Sequence, residues 1–243
     1  MNFFYKLYKY LVDYLFPYRC LKCFSYTQDE NGLCSSCFAG LHFNAKPFCI
    51  ICGKGFNIDI DQSNLCGPCT VKKPIYDQAR FIIRYDEKSK GLIHSFKYND
   101  KTILSKIFCK MLYTQYREFI ESSDIIVPIP MHKLKRLSRL YNQTQYLAKS
   151  LSDLSKINMI SDLLIKYKYT KPQTSLNQKA RKKNINNSFL VNKKYDIKGK
   201  TILIIDDVIT TGSTISECAK ILKKEGCRKV FVIAIAATNN MYN

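Results

Sequence analysis

The sequence predicts an α/β protein: a parallel sheet with covering helices, preceded by a small cysteine-rich module. Three observations lead there. Eight of the eleven cysteines form four C-x-x-C pairs, all before residue 70. The runs IIVPIP, TILIID and VFVIAIAA are apolar on consecutive residues, as strands buried on both faces require. Between those runs lie segments of helical periodicity, so strands and helices alternate from residue 79 onward.

Composition places a boundary after residue 76. Residues 1–76 form an N-terminal helix and the four-C-x-x-C module; residues 77–243 form the sheet domain. Within the second part we expect strands over 79–85, 124–129, 159–165, 201–205 and 229–236, and helices over 88–98, 103–120, 142–154 and 213–225. Gly226 stands where a helix-terminating glycine belongs. The basic stretch 167–187 carries neither period and reads as a mobile loop followed by a short helix.

The opening MNFFYKLYKYLVDYLF sets Phe4, Leu7, Leu11 and Leu15 at helical spacing. Lys6, Lys9 and Asp13 interrupt it, no small-residue cleavage site follows, and it is too short to span a bilayer. An amphipathic helix remains, either packed on its own protein or lying on a membrane surface. We expect no transmembrane segment and a cytoplasmic chain.

With 46% hydrophobic and 24% charged residues among 243, the composition is globular and excludes a disordered chain. Thirty-nine basic against nineteen acidic side chains give a net charge of +20. A field of that sign attracts nucleic acid, anionic lipid and phosphorylated ligands. A lysine-rich solvated surface gives the same total, so charge alone does not locate a patch.

Cys20/Cys23, Cys34/Cys37, Cys49/Cys52 and Cys66/Cys69 are separated by 10, 11 and 13 residues. A C-x-x-C turn aims two thiolates at one point, and two such turns complete a tetrahedron around Zn²⁺. That chemistry belongs to a reducing compartment. Sequential pairing puts Cys20, Cys23, Cys34 and Cys37 on one ion and Cys49, Cys52, Cys66 and Cys69 on another; an interleaved pairing satisfies the same spacing. Four thiolates leave no open position, so the zinc, one or two ions, is structural and replaces a core that so short a module lacks. Two such sites lower the net charge only to about +16, so the basic excess survives. Cys109, Cys218 and Cys227 read as core thiols. His42 is the one histidine placed to stand in for a cysteine, while His94 and His132 read as surface or capping residues.

Thr201 to Thr214, T-I-L-I-I-D-D-V-I-T-T-G-S-T, is the most informative segment. An apolar strand delivers two adjacent carboxylates, then a short loop rich in hydroxyls leads into a helix. Thr210, Thr211, Gly212, Ser213 and Thr214 supply backbone N–H groups, hydroxyls and a helix N-terminus, which together hold a phosphate. Gly212 permits close backbone approach. Asp206 and Asp207, at the carboxyl end of their strand, can accept hydrogen bonds from two vicinal ribose hydroxyls. A P-loop is excluded, since no G-x-x-x-x-G-K-[ST] is present.

This segment resembles the phosphoribosyl pyrophosphate motif of type I phosphoribosyltransferases, in which the acidic pair takes the ribose diol and the threonine-rich loop the 5′-phosphate. The fold implied is a type I phosphoribosyltransferase-like parallel sheet, with Mg²⁺ accompanying the ligand. Further stretches narrow the likeness. The cysteine module, LIHSFKY (92–98), IVPIP (126–130), RLSRLYNQ (136–143), then Gln173, Leu176, Arg181 and Asn184, then the Asp-Asp loop, follow the order of the ComF family. The family usually has glycine where this chain has Leu140, a residue that does not enter positive φ cheaply.

By that resemblance and by charge, Arg136, Arg139 and Lys97 are expected at the pyrophosphate. The loop 166–183 is expected to close over the ligand, with Gln173 and Arg181 pointing inward. The family's association with DNA uptake during natural transformation makes single-stranded DNA and DNA-uptake or recombination proteins the expected partners. Seventeen tyrosines and fourteen phenylalanines are available for stacking. The alternative is an active phosphoribosyltransferase, displacing pyrophosphate from the ribose with a nucleobase-like acceptor the sequence does not identify.

Overall fold

Along Thr201–Ile209 successive side chains point to opposite faces of a sheet, and both faces are covered. Ile202 and Ile204 join one buried cluster, Leu203 and Ile205 the other. The computed structural model describes residues 8, 11–12, 14–15, 17–27, 32–56, 64–98, 103–131, 142–168 and 187–238. Its strands are β1 (Gln78–Arg84), β2 (Ile125–Pro128), β3 (Asn158–Met159), β4 (Leu164–Lys166), β5 (Phe189–Val191), β6 (Thr201–Ile209) and β7 (Lys229–Ala237). Its helices are α1 (Ser35–Ala39), α2 (Gly67–Val71), α3 (Glu87–Tyr98), α4 (Ile103–Glu121), α5 (Gln143–Ser155) and α6 (Ser213–Lys224).

Five strands form the main sheet in the order β1-β7-β6-β2-β3, with every neighbouring pair parallel. Helix α6 covers one face through Ile215, Cys218, Ala219 and Leu222. Helices α3, α4 and α5 cover the other, where Phe96, Phe108, Leu112, Leu147 and Leu151 are buried. Gly226, at φ 87°, follows α6 as expected.

Two expectations need correction. The single strand over 159–165 is two: β3 stops at Met159, the chain turns through Ser161 and Asp162, and β4 pairs antiparallel with β5 in a separate sheet. Asp162 accepts from Asn192 Nδ2 and Tyr195 Oη, which anchors that turn. The strand starting at Thr201 runs on to Ile209 rather than stopping at Ile205, so the two aspartates lie within it, Asp206 opposite Ala234 of β7. Of the N-terminal helix, Leu11 and Leu15 are 52% and 66% exposed, so the described part does not bury its apolar stripe. Among the described residues no helix is long and apolar enough to cross a membrane.

The cysteine module closes the β1 edge of the sheet. Asn44 N–H donates to Ile82 O at 2.7 Å, Arg84 N–H donates to His42 O at 2.9 Å, and Phe43 bridges Ile83 antiparallel. Ala79 N–H donates to Ile51 O at 2.6 Å. Gly53, at φ 74°, lets that turn approach: a Cβ there would lie 2.4 Å from Ala79 O. Cys20 packs with the α3–α5 side of the sheet, while Cys49, Cys52, Cys66 and Cys69 pack with the α6 side.

Candidate phosphate site and metal centres

In both halves of the module the second C-x-x-C pair starts a short helix. Cys34 and Cys66 are the N-cap residues of α1 and α2, extended at ψ 159° and 156°, and Cys37 N–H points at Cys34 Sγ at 3.4 Å. The first pair lies in a turn closed by Phe24 N–H to Cys20 O, or by Gly53 N–H to Cys49 O. Sulfurs thereby converge in two groups, Cys20/Cys23/Cys34/Cys37 and Cys49/Cys52/Cys66/Cys69, with all ligand atoms of a group within 4.8 Å of one another. This is the sequential pairing, not the interleaved one.

Cys23 and Cys34 Sγ are 3.7 Å apart, Cys52 and Cys66 Sγ 3.5 Å. A tetrahedron of Zn–S bonds near 2.3 Å has edges of about 3.8 Å, so both groups fit zinc. Without a cation the four thiols of a group cannot all ionise. The bond from Cys52 pulls Cys49 down to about 4 against burial, with the N–H groups of Cys66, Cys52 and Ile51 assisting. Cys52 is pushed up by that same bond and by burial, and burial carries Cys69 up to about 12. A divalent ion supplies the charge that lets all four act as thiolates. His42 joins neither group: its Nδ1 lies 2.5 Å from Asp86 Oδ2.

The phosphate-type loop follows β6. Gly212 adopts φ 67° as the N-cap of α6, and Ser216 N–H donates to Gly212 O at 2.8 Å as the first helical bond. Gly212 has no side chain to cap the helix, and Ser213 N–H points at Thr211 Oγ1 at 3.5 Å. Thr211 Oγ1 and Ser213 Oγ are 2.9 Å apart. Thr238 braces the loop from β7, its N–H donating to Ile209 O and its hydroxyl to Thr210 O. Asp206 and Asp207 are half-buried, and Asp207 N–H donates to Asp206 Oδ1 at 2.8 Å.

Helix α5 brings a second N-terminus to the same edge. Asn142 caps it, accepting from Thr144 N–H and Thr144 Oγ1, and that hydroxyl lies 2.8 Å from Ile129 O just after β2. Ile129 N–H in turn donates to Ile205 O. One strand–loop–helix unit thus carries Asp206, Asp207, Thr210, Thr211, Gly212, Ser213 and Thr214 at the carboxyl edge. Arg136, Arg139, His132, Gln173, Leu176, Arg181, Asn184 and the side chain of Lys97 lie outside the described residues. Sequence reasoning missed the bracing roles of Thr144 and Thr238. The Asn-Gln start of α5 signals the first, and nothing local signals the second.

A family model described as a double zinc ribbon domain matches residues 11–70, and one described as a phosphoribosyl transferase domain matches residues 97–242. Competence protein F of Haemophilus influenzae is 29% identical over 228 residues, covering 91% of this chain and 97% of that protein. DNA utilization protein YhgH of Escherichia coli K12 is 27% identical over 213 residues, covering 85% and 91%. A solved structure described as the allosteric regulatory enzyme of purine biosynthesis matches with a TM-score of 0.41 at 18% identity, covering 58% of this chain and 30% of that one.

Proposed function

The chain belongs to the phosphoribosyl transferase domain family, with a double zinc ribbon before that domain, and we propose that it binds phosphoribosyl pyrophosphate at the carboxyl end of β6. The observation that carries this reading is the left-handed Gly212 at the head of a twelve-residue helix, five residues beyond the adjacent carboxylates of Asp206 and Asp207. The 5′-phosphate takes the N–H groups and hydroxyls of residues 210–214. The two aspartates accept from the ribose hydroxyls. Arg136, Arg139 and Lys97 are assigned to the pyrophosphate by charge. Mg²⁺ accompanying the ligand would screen the charge of the diphosphate beside these residues.

In this reading the boundary between ribbon module and transferase-type domain follows Tyr76. The pocket serves DNA uptake or recombination, a role supported by relatives named as competence and DNA utilization proteins. Calorimetry of phosphoribosyl pyrophosphate with Mg²⁺ tests the ligand. Binding to the wild type that disappears in a folded Asp206→Ala/Asp207→Ala chain is the expected result. No heat at millimolar ligand overturns it. Transformation frequency in a strain carrying only the double variant tests the role, with a wild-type frequency counting against it.

A further inference from the structure

The phosphate loop stands at the carboxyl end of the sheet, and a second concavity opens at the amino end. Its volume is about 820 Å³, and it forms where the first residues of β1, β6 and β7 meet the second half of α4 and segment 46–50 of the cysteine module. Lys46, Arg80, Arg117, Arg228 and Lys229 line it, against one carboxylate, Glu118. Arg117 is paired with Glu121 at 2.9 Å. Among the described residues no carboxylate pairs with the other four.

Arg80 is the informative member. It is 9% exposed, and its guanidinium carbon lies 4.8 Å from the ring centre of Phe48 and 5.2 Å from that of Phe119. Its donors go to the carbonyls of Ile50 and Ala79 and to Gln78 Oε1, all uncharged. Burying a cation without an anionic hydrogen-bond partner is costly. Burial pulls its pKa below the ordinary value, with Tyr116, Cys49 and Cys52 favouring the charge from a distance, and the cleft keeps a surplus of positive charge beside aromatic walls.

A phosphate ester answers the first property and a flat ring the second. The volume is in the upper part of the range of small-molecule pockets, roughly 300–1,000 Å³, which admits more than one nucleotide unit. We propose that this cleft is a second ligand site, for a nucleoside phosphate, whose phosphate meets Lys46, Arg228 and Lys229 around Arg80 and whose base lies against Phe48. It goes beyond the phosphoribosyl site and does not depend on it. Strand β6 at about 3.3 Å per residue puts roughly 30 Å between Thr201 and Thr210. A free nucleotide and a nucleotide within a single strand share the chemistry.

Fluorescence anisotropy on the full zinc-loaded chain tests this, with N-methylanthraniloyl-AMP and a fluorescein-labelled oligothymidylate as separate probes. Three chains are compared: wild type, Asp206→Asn/Asp207→Asn, and Lys46→Glu/Arg228→Glu/Lys229→Glu, the last altering only exposed residues. At least one probe binds, the triple substitution weakens it by ~10-fold or more, and neither the aspartate pair nor excess phosphoribosyl pyrophosphate changes it. Binding of the free nucleotide assigns the site to that source; binding of the oligonucleotide alone assigns it to the strand. If the triple variant loses zinc or melts early, Lys229→Glu alone replaces it, with a smaller weakening expected. Unchanged affinity in the charge-reversed chain, displacement by phosphoribosyl pyrophosphate, or no binding of either probe at millimolar concentration overturns the proposal.

Discussion

The guanidinium of Arg80 donates to the carbonyl oxygen of Ile50 at 3.1 Å, so a residue of the edge strand holds the turn between Cys49 and Cys52. The same Nη1 reaches Ala79 O at 2.7 Å, and the group is stacked against Phe48 and Phe119. Truncation leaves two carbonyls without their donor and opens a gap between two rings. Arg80→Ala is expected to cost about 3 kcal/mol, read as a lowered melting temperature. Arg80→Lys does not rescue it, because an ammonium cannot reproduce the planar fork and the stack. A melting temperature unchanged in the alanine variant contradicts this account.

The two cysteine clusters differ in access. Cys49, Cys52 and Cys69 have no solvent exposure and Cys66 has 6%, whereas Cys23 is exposed and Cys34 and Cys37 are half-buried. A chelator therefore withdraws zinc in two phases, the fast one from Cys20, Cys23, Cys34 and Cys37. Cys23→Ser removes the fast phase and leaves the slow one. Release in a single phase from the wild type, followed with a metallochromic dye, rules out this difference.

Gly212 holds φ 67° at the head of α6. A side chain in that conformation costs roughly 1–2 kcal/mol and also crowds the space before the helix. Gly212→Ala lowers stability by about 1 kcal/mol in urea titration and weakens phosphoribosyl pyrophosphate binding by more than that loss accounts for. Equal losses in the two measurements separate the glycine from the ligand.

Asp86 caps the helix that follows β1, accepting at 3.0 Å from both Lys88 N–H and Ser89 N–H, with His42 at its other oxygen. Burial pushes its carboxyl up, but His42 and these N–H groups outweigh that and hold it below the ordinary value. A depressed folded-state pKa makes the stabilisation complete above the unfolded value, near 3.9, and lost as pH falls through the folded one. Asp86→Ala then costs about 1 kcal/mol at pH 7, and its gap from the wild type narrows below about pH 4. A gap constant from pH 7 to pH 3 excludes the ionised carboxylate as its source.

Chemistry at short sequence range was legible before the structure. The C-x-x-C turns are local, and so is the strand–loop–helix of residues 201–214, whose order was read directly although its strand runs on to Ile209. Strand β5 was not, because three residues carry no measurable period and its pairing with β4 spans more than twenty positions. The cation cleft was illegible for a related reason. Lys46, Arg80, Arg117 and Arg228 stand far apart in the chain, and only the seating of the module against β1 assembles them. The zinc pairing was decided in the same way, by which turns the fold brings within reach.

Strand β1 carries Phe81, Ile82 and Ile83 in its middle, and residues 42–44 together with the Ile51 carbonyl occupy its outer backbone groups. Those covering residues run between and within the two cysteine clusters, whose turns a metal ion would tie together. A chain short of metal presents a hydrophobic strand with unanswered N–H and C=O groups, the template on which chains self-associate. Such copies go to proteases and aggregates before any ligand is met. Scarce zinc consequently acts first on how many folded molecules a cell keeps, so the ribbon behaves as a licence for existence.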